Sequence, residues 1–108
     1  MKDGLTVWEC AGCGRIVFPR RLLCPDCGSA EWRRRRAEWG RVEEVTLVRR
    51  APGRTLLAPV RLGSVRLEGG PLVVARLEPA ASAGMRVLLR EDEGVPVAVA
   101  DRSAAANH

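Results

Sequence analysis

The sequence predicts an all-β protein in two parts, a small metal-stapled ribbon followed by a five-stranded barrel. Three observations predict it. Two short cysteine motifs, Cys10-Ala-Gly-Cys13-Gly14 and Cys24-Pro-Asp-Cys27-Gly28, face each other across residues 14–23. From Gly40 the composition turns to Val, Leu, Arg and Gly, with no further cysteine or aromatic residue. That second stretch then breaks at glycine and proline into five short runs of strand length.

The cysteine motifs decide how the N-terminal part can fold. Two residues between a cysteine pair let both sulfurs turn toward one point, and Gly14 and Gly28 allow the tight, positive-φ turn that follows. Two such pairs complete a tetrahedron of thiolates: Cys10, Cys13, Cys24 and Cys27. Four soft ligands at ~2.3 Å suit a structural Zn2+ and leave no coordination position for water or substrate, which argues against metal catalysis. A redox pair or two disulfides are the alternatives. Residues 1–8 hold no apolar run resembling a secretory signal, so a reducing cytoplasm is the expected setting and zinc the expected occupant. A ribbon of roughly thirty residues buries too little apolar surface to fold alone, so metal binding has to supply its folding free energy.

The chain carries 18 Lys plus Arg against 13 Asp plus Glu, a formal charge of +5. Four thiolates and one divalent ion bring that to about +3, a modest excess. All the basic residues except Lys2 are arginine, which fits either a coding bias or recognition of phosphate and carboxylate. No stretch approaches the ~18 uninterrupted apolar residues of a membrane span.

Taken in order, residues 5–9 alternate as the first ribbon strand, and residues 15–21 supply a hairpin arm with Ile16 and Phe18 on one side and Pro19 limiting further pairing. Residues 31–39 contain Trp32-Arg-Arg-Arg-Arg-Ala-Glu-Trp39. As a strand, this segment puts Arg34 and Arg36 on the face of Trp32, and Arg33 and Arg35 on that of Trp39. It is read either as an anion contact or as a solvated edge strand protected by charge. The ribbon is placed at residues 1–39, the barrel at 40–102 and a disordered tail at 103–108.

The five barrel runs are residues 41–50, 59–68, 71–78, 85–91 and 95–100. In the fourth, Met85, Val87 and Leu89 form a core face; in the fifth, Val95, Val97 and Val99 do. The first two change parity, from Val42 to Val45 and Leu47, and from Val60 and Leu62 to Val65 and Leu67 across Gly63-Ser64. Such a change predicts a bulge or a sharp bend, as strands of a small closed barrel need. Five strands with early bends point to an OB-type barrel. Residues 79–84 leave room for barely one turn, so the helix usual between its third and fourth strands is expected to be absent or vestigial.

Knuckles and barrel in this order give the chain a specific likeness. L-T-V-W-E-C-A-G-C-G, F-P-R-R-L-L-C-P-D-C-G-S, G-R-V-E-E-V-T, V-R-L-E-G-G-P-L-V-V-A-R-L and G-M-R-V resemble successive segments of the zinc-ribbon plus OB-fold proteins grouped as the domain of unknown function thirty-five family. The resemblance runs over almost the whole chain. It implies a rubredoxin-like zinc ribbon and an OB-fold barrel acting as a non-catalytic accessory subunit. The implied partners are thiolase-like or hydratase-like acyl-CoA enzymes in a hetero-oligomer, with the barrel against the partner and helping to form or shield the route of the CoA-linked intermediate. Two departures stand out. The family often has a helical segment before the ribbon, whereas nine residues precede Cys10 here, and V-P-V-A-V-A-D stands where the family usually has an aromatic residue.

The inventory of side chains argues against independent catalysis. The one histidine is His108, there is no tyrosine, and the cysteines are committed to metal. Glu43, Glu44, Glu91, Asp92 and Glu93 lie among arginines, where surface pairing is the ordinary role. Single-stranded nucleic-acid binding is the alternative, since ribbons and OB barrels often serve it. It needs exposed rings for base stacking, yet Trp8, Phe18, Trp32 and Trp39 all fall in or beside the ribbon. The first barrel loop, where Arg49, Arg50 and Arg54 flank Leu56 and Leu57, offers an apolar pair in a basic collar to a partner or to an acyl-CoA. Alternatively, Leu56 and Leu57 open the second strand and enter the core.

Overall fold

A computed structural model describes residues 2–51 and 54–101, with residues 2, 50, 51 and 54–58 described through their backbone alone. Among the described residues every regular element is a strand and there is no helix, so the crossover before the fourth barrel strand has no helix. No helix is long and apolar enough to cross a membrane.

The ribbon is a three-stranded antiparallel sheet in the order β3-β2-β4. Its centre is β2 (Leu5–Cys10), flanked by β3 (Ile16–Val17) and β4 (Trp32–Ala37). The register runs from Leu5↔Ala37 to Cys10↔Trp32 on one side and through Trp8↔Val17 on the other. The arginine run is therefore an edge strand. Arg33 and Arg35 reach Glu9 at 3.7 and 2.8 Å, Arg34 lies over the Trp8 ring at 5.6 Å, and Arg36 donates to the Asp3 carbonyl. Charge on an edge strand blocks pairing with another chain.

The second sheet holds β5 (Trp39–Ala51), β6 (Arg54–Leu67), β7 (Leu72–Leu77), β8 (Arg86–Asp92) and β9 (Val95–Ala100). Its order is β8-β5-β6-β7-β9, and pairing of β8 with β9 closes the barrel; β1 (Lys2–Asp3) adds outside β8. Strands β7 and β9 run parallel while the other pairs are antiparallel. This is the closed OB-type barrel, and closure removes most of the edges that an open five-stranded sheet would expose.

The periodicity expected of the strands is met most simply in β7 and β8, where Val73, Ala75, Leu77, Val87 and Leu89 point inward and are buried. In β5 the register shifts between Val42 and Glu44, the bulge that its parity change predicts, and again between Val48 and Arg50, near the hairpin end, which no change of parity announces. Strand β6 behaves differently from expectation. It keeps register with β7 from Leu62 to Arg66, and Gly63, Val65 and Leu67 form its inner row. Val60 and Leu62 are only half-buried, because they stand on the strand's outer row with Ser64 and Arg66. Strand β9 also departs from a single core face. Pro96, Val97 and Ala98 are all buried while Val95 is exposed, since β9 lies between β7 and β8 with Arg76 and Arg90 flanking Val97, whose outer side their long stems can shield.

Gly63 marks a tight crossing. A Cβ there would stand 2.7 Å from Leu77 Cδ1 and 2.9 Å from the Glu44 carbonyl oxygen, beside the β5 bulge. Gly63→Ala should accordingly cost about 1–3 kcal/mol, read as a lower urea midpoint at unchanged m-value.

Ribbon and barrel share one core. Leu5, Val7 and Ala37 from the ribbon cluster with Val42, Val65, Leu67, Val87 and Leu89 of the barrel, with Ile16 and Phe18 packed against them. Main-chain bonds stitch the junction: Gly4 N–H to Leu89 O at 2.7 Å, Leu89 N–H to Glu38 O at 2.9 Å, and Glu68 N–H to Trp39 O at 3.1 Å.

Candidate metal centre

The two knuckles repeat one hydrogen-bond pattern. In the first, Gly14 N–H donates to Cys10 O at 2.9 Å and Cys10 N–H to Arg15 O at 2.7 Å; in the second, Gly28 N–H donates to Cys24 O at 2.9 Å and Cys24 N–H to Ser29 O at 2.8 Å. Both turns close only because Gly14 and Gly28 take φ of 82° and 79°, a region costly for any side chain with a Cβ. Arg15 then reaches across to Asp26 at 2.6 Å and ties one knuckle to the other.

This local folding brings all four sulfurs within 4.8 Å of one another, with Cys10–Cys27 at 3.5 Å and Cys13–Cys24 at 3.6 Å. The thiols are free rather than joined in disulfides. A tetrahedron of thiolates at ~2.3 Å from one ion spaces its sulfurs about 3.8 Å apart, so the cage has the size for such an ion. The electrostatics fit as well. The Cys13 amide leads in drawing the Cys10 thiol down to about 6, helped by Gly12 N–H at 3.3 Å, and the Cys27 amide lowers Cys24. Cys13 feels the Arg15 amide most strongly and downward, but the facing Cys24 thiol, burial and the other thiols push it up to about 12. Cys27 is likewise raised, as the Cys10 thiol and burial outweigh the Ser29 amide. Four sulfurs this close cannot all be anionic without a cation among them, and metal loading therefore releases protons. Cys10 and Cys24 are buried and Cys13 and Cys27 exposed, leaving one side of the cage toward solvent. Among the described residues these four form the one cluster of three or more His, Cys, Asp or Glu side chains able to hold a metal.

The other sequence-marked residues are not gathered into a site. Arg49 is exposed on β5. Arg50, Arg54, Leu56 and Leu57 belong by backbone to the β5–β6 hairpin, with Arg50 opposite Thr55, and their side chains lie outside the described residues. Glu43 pairs with Arg66 at 3.1 Å and Asp92 with Arg76 at 3.0 Å, the surface roles expected of them. What sequence reasoning passed over is the outer face of β5, β6 and β7. There Glu44, Thr46, Leu62, Ser64 and Val74 surround a dimple of about 220 Å³ floored by Gly63. Leu72 and Val74 on this face are 46% and 64% exposed. The signal was present in Leu72-Val-Val-Ala-Arg-Leu77, whose outward row begins with two apolar residues, Leu72 and Val74, before Arg76.

Comparison with known proteins also divides the chain in two, with the boundary inside β4. A family model described as the ChsH2 rubredoxin-like zinc ribbon domain matches residues 5–33, and one described as the ChsH2 C-terminal OB-fold domain matches residues 34–100. A DUF35 domain-containing scaffold protein of Pyrococcus furiosus is 39% identical over 66 residues, covering 59% of this chain and 48% of that protein. The chain thus spans about half the length of this curated relative. Among solved structures, the Ltp2-ChsH2(DUF35) aldolase superimposes with a TM-score of 0.71 at 27% identity, over 90% of this chain and 84% of that one. A DUF35-family protein of unknown function from Sulfolobus solfataricus shares the fold, with a TM-score of 0.64 at 19% identity over 91% and 76% of the two chains.

Proposed function

Since the chain belongs to the ChsH2 family of zinc-ribbon and OB-fold proteins, we propose that it is a non-catalytic accessory subunit that docks on a thiolase-superfamily or related acyl-CoA or acyl-transfer enzyme. Zinc is the assigned ion, held by Cys10, Cys13, Cys24 and Cys27. Its part is structural, because a full set of thiolates leaves no open position for chemistry. The kinship to a scaffold protein and to the ChsH2 part of an aldolase assembly supports this reading.

The observation that carries it is the character of the barrel's outer face. Strands β6 and β7 take the place of the surface on which OB barrels commonly hold ligands. Here that face carries aliphatic side chains, Leu62 and Val74 at the dimple among Glu44, Thr46 and Ser64, with Leu72 further along β7, and the chain has no ring after Trp39. A strand of bases needs rings to stack on, whereas exposed aliphatic side chains beside Glu44 and Arg76 suit another protein's surface. On this reading the hairpin bearing Arg49, Arg50, Arg54, Leu56 and Leu57 extends the contact, its arginines suited to CoA phosphates and its leucines to the acyl portion.

The test is affinity purification of the tagged chain from its own host, with co-purifying proteins identified by mass spectrometry. A thiolase-like or hydratase-like enzyme should come through in stoichiometric amount. Val74→Glu, a change at an exposed position, should reduce its recovery at least tenfold while leaving the circular dichroism of the chain intact. Nuclease-sensitive nucleic acid in place of an enzyme would refute the proposal.

A further inference from the structure

A cleft of about 530 Å³ opens where the ribbon meets the barrel. Its ribbon wall carries Arg15, Ile16, Phe18 and Arg21; its barrel wall carries Arg66 and the turn Gly69-Gly70-Pro71-Leu72. The size lies within the range of about 300–1,000 Å³ that holds small ligands.

Three guanidiniums line this cleft against one carboxylate, Asp26. Arg15 donates through Nη1 to Asp26 at 2.6 Å. Arg66 donates through Nε to Glu43 at 3.1 Å and through Nη1 to the Gly70 carbonyl at 2.9 Å. Those bonds orient two guanidiniums and leave further N–H groups of each without a protein acceptor. Arg21 forms no hydrogen bond or ion pair among the described residues. Gly69 and Gly70, at φ 88° and 112°, form the turn without side chains, and a Cβ at Gly70 would meet nothing within 4 Å. At Gly70 the barrel wall is therefore open down to its backbone, whereas at Gly69 a Cβ would stand 2.6 Å from Ile16 Cδ1, which closes that point of the wall. Beside this donor surplus lies an apolar strip of Ile16, Phe18 and Leu72.

We propose that the cleft binds a phosphorylated small molecule, its phosphate taken by Arg21, Arg15 and Arg66 and its organic portion lying on Ile16, Phe18 and Leu72. Guanidinium forks from three separate segments match a tetrahedral dianion, whereas a carboxylate occupies a single fork. An extended nucleic acid fits poorly, because the cleft offers one half-buried ring, Phe18, and no row of them. The cleft shares Leu72 with the aliphatic barrel face, but the proposal stands whether or not the subunit reading does, since its test needs the chain alone.

The experiment titrates pyrophosphate, and then phenyl phosphate against inorganic phosphate, into the metal-loaded full chain at low ionic strength. Binding is followed by calorimetry and by amide shifts. The expected result is saturable binding with shifts confined to Arg15, Arg21, Gly69 and Gly70, and phenyl phosphate binding more tightly than inorganic phosphate. Arg21→Ala and Arg66→Lys should each weaken binding about tenfold, the effect of one charge-assisted hydrogen bond, while Arg34→Ala outside the cleft leaves it unchanged. A titration that never saturates would overturn the proposal. So would Arg21→Ala binding as the parent does, or a single-stranded oligonucleotide binding through Arg34 with shifts along β4.

Discussion

Removing the metal should unfold the ribbon and weaken the barrel with it. Beyond the exposed Arg15–Asp26 pair and the main-chain bonds within each knuckle, little else among the described residues holds the four sulfurs together, and the ribbon sheet is only three strands wide, one of them the two-residue β3. Structural zinc supplies an apparent ~10–16 kcal/mol in zinc-finger peptides, against a net stability of about 5–15 kcal/mol for a typical domain. Loss of the ion therefore removes as much as the fold holds in reserve. The effect reaches the barrel because Leu5, Val7 and Ala37 belong to the same core as Val65 and Leu89. Treatment with a strong chelator, or Cys10→Ser, should give a large red shift of tryptophan emission, since Trp8, Trp32 and Trp39 all stand on the ribbon strands or at the junction. It should also bring a lower thermal midpoint for what remains. Complete metal loss with unchanged emission would count against a metal-dependent fold.

Leu5→Ala is the second large effect. Leu5 is 0% exposed, pairs with Ala37 in the ribbon sheet, and adjoins Gly4, whose N–H binds Leu89 O of the barrel. Truncating such a side chain costs about 2–5 kcal/mol, the spread depending on how far the surroundings collapse. The position of Leu5 also fixes the form of the result. One cooperative urea transition, shifted to lower midpoint, is expected, because the residue serves both halves at once. Two transitions, with only the first displaced, would mean that ribbon and barrel unfold independently.

Much of this architecture can be read in the residues, for reasons that are local. The cysteine cage follows from spacing and two glycines within a few residues of each sulfur, and β7 and β8 follow from alternation. The first bulge of β5 shows as a change of parity at Val42. Other features were hidden because they depend on neighbours distant in the chain. Nothing in residues 5–7 announces that Leu5 and Val7 meet barrel residues. A two-residue strand such as β1, paired Lys2↔Glu91, has no period to detect. The burial of Val97 depends on the arginines of the strands on either side of β9. The candidate sites divide in the same way: the metal centre is legible from one continuous stretch, while the dimple and the arginine cleft exist only once separate strands are brought side by side.

The stitched junction of Gly4, Glu38, Leu89, Glu68 and Trp39 has a consequence for how such proteins can vary. The seam between the halves is a point in the chain but a surface in space. Grafting the ribbon of one relative onto the barrel of another preserves function only when the residues facing each other across that surface travel together. Lineages that exchange these modules must therefore exchange Leu5, Val7 and Ala37 in concert with the barrel wall they touch.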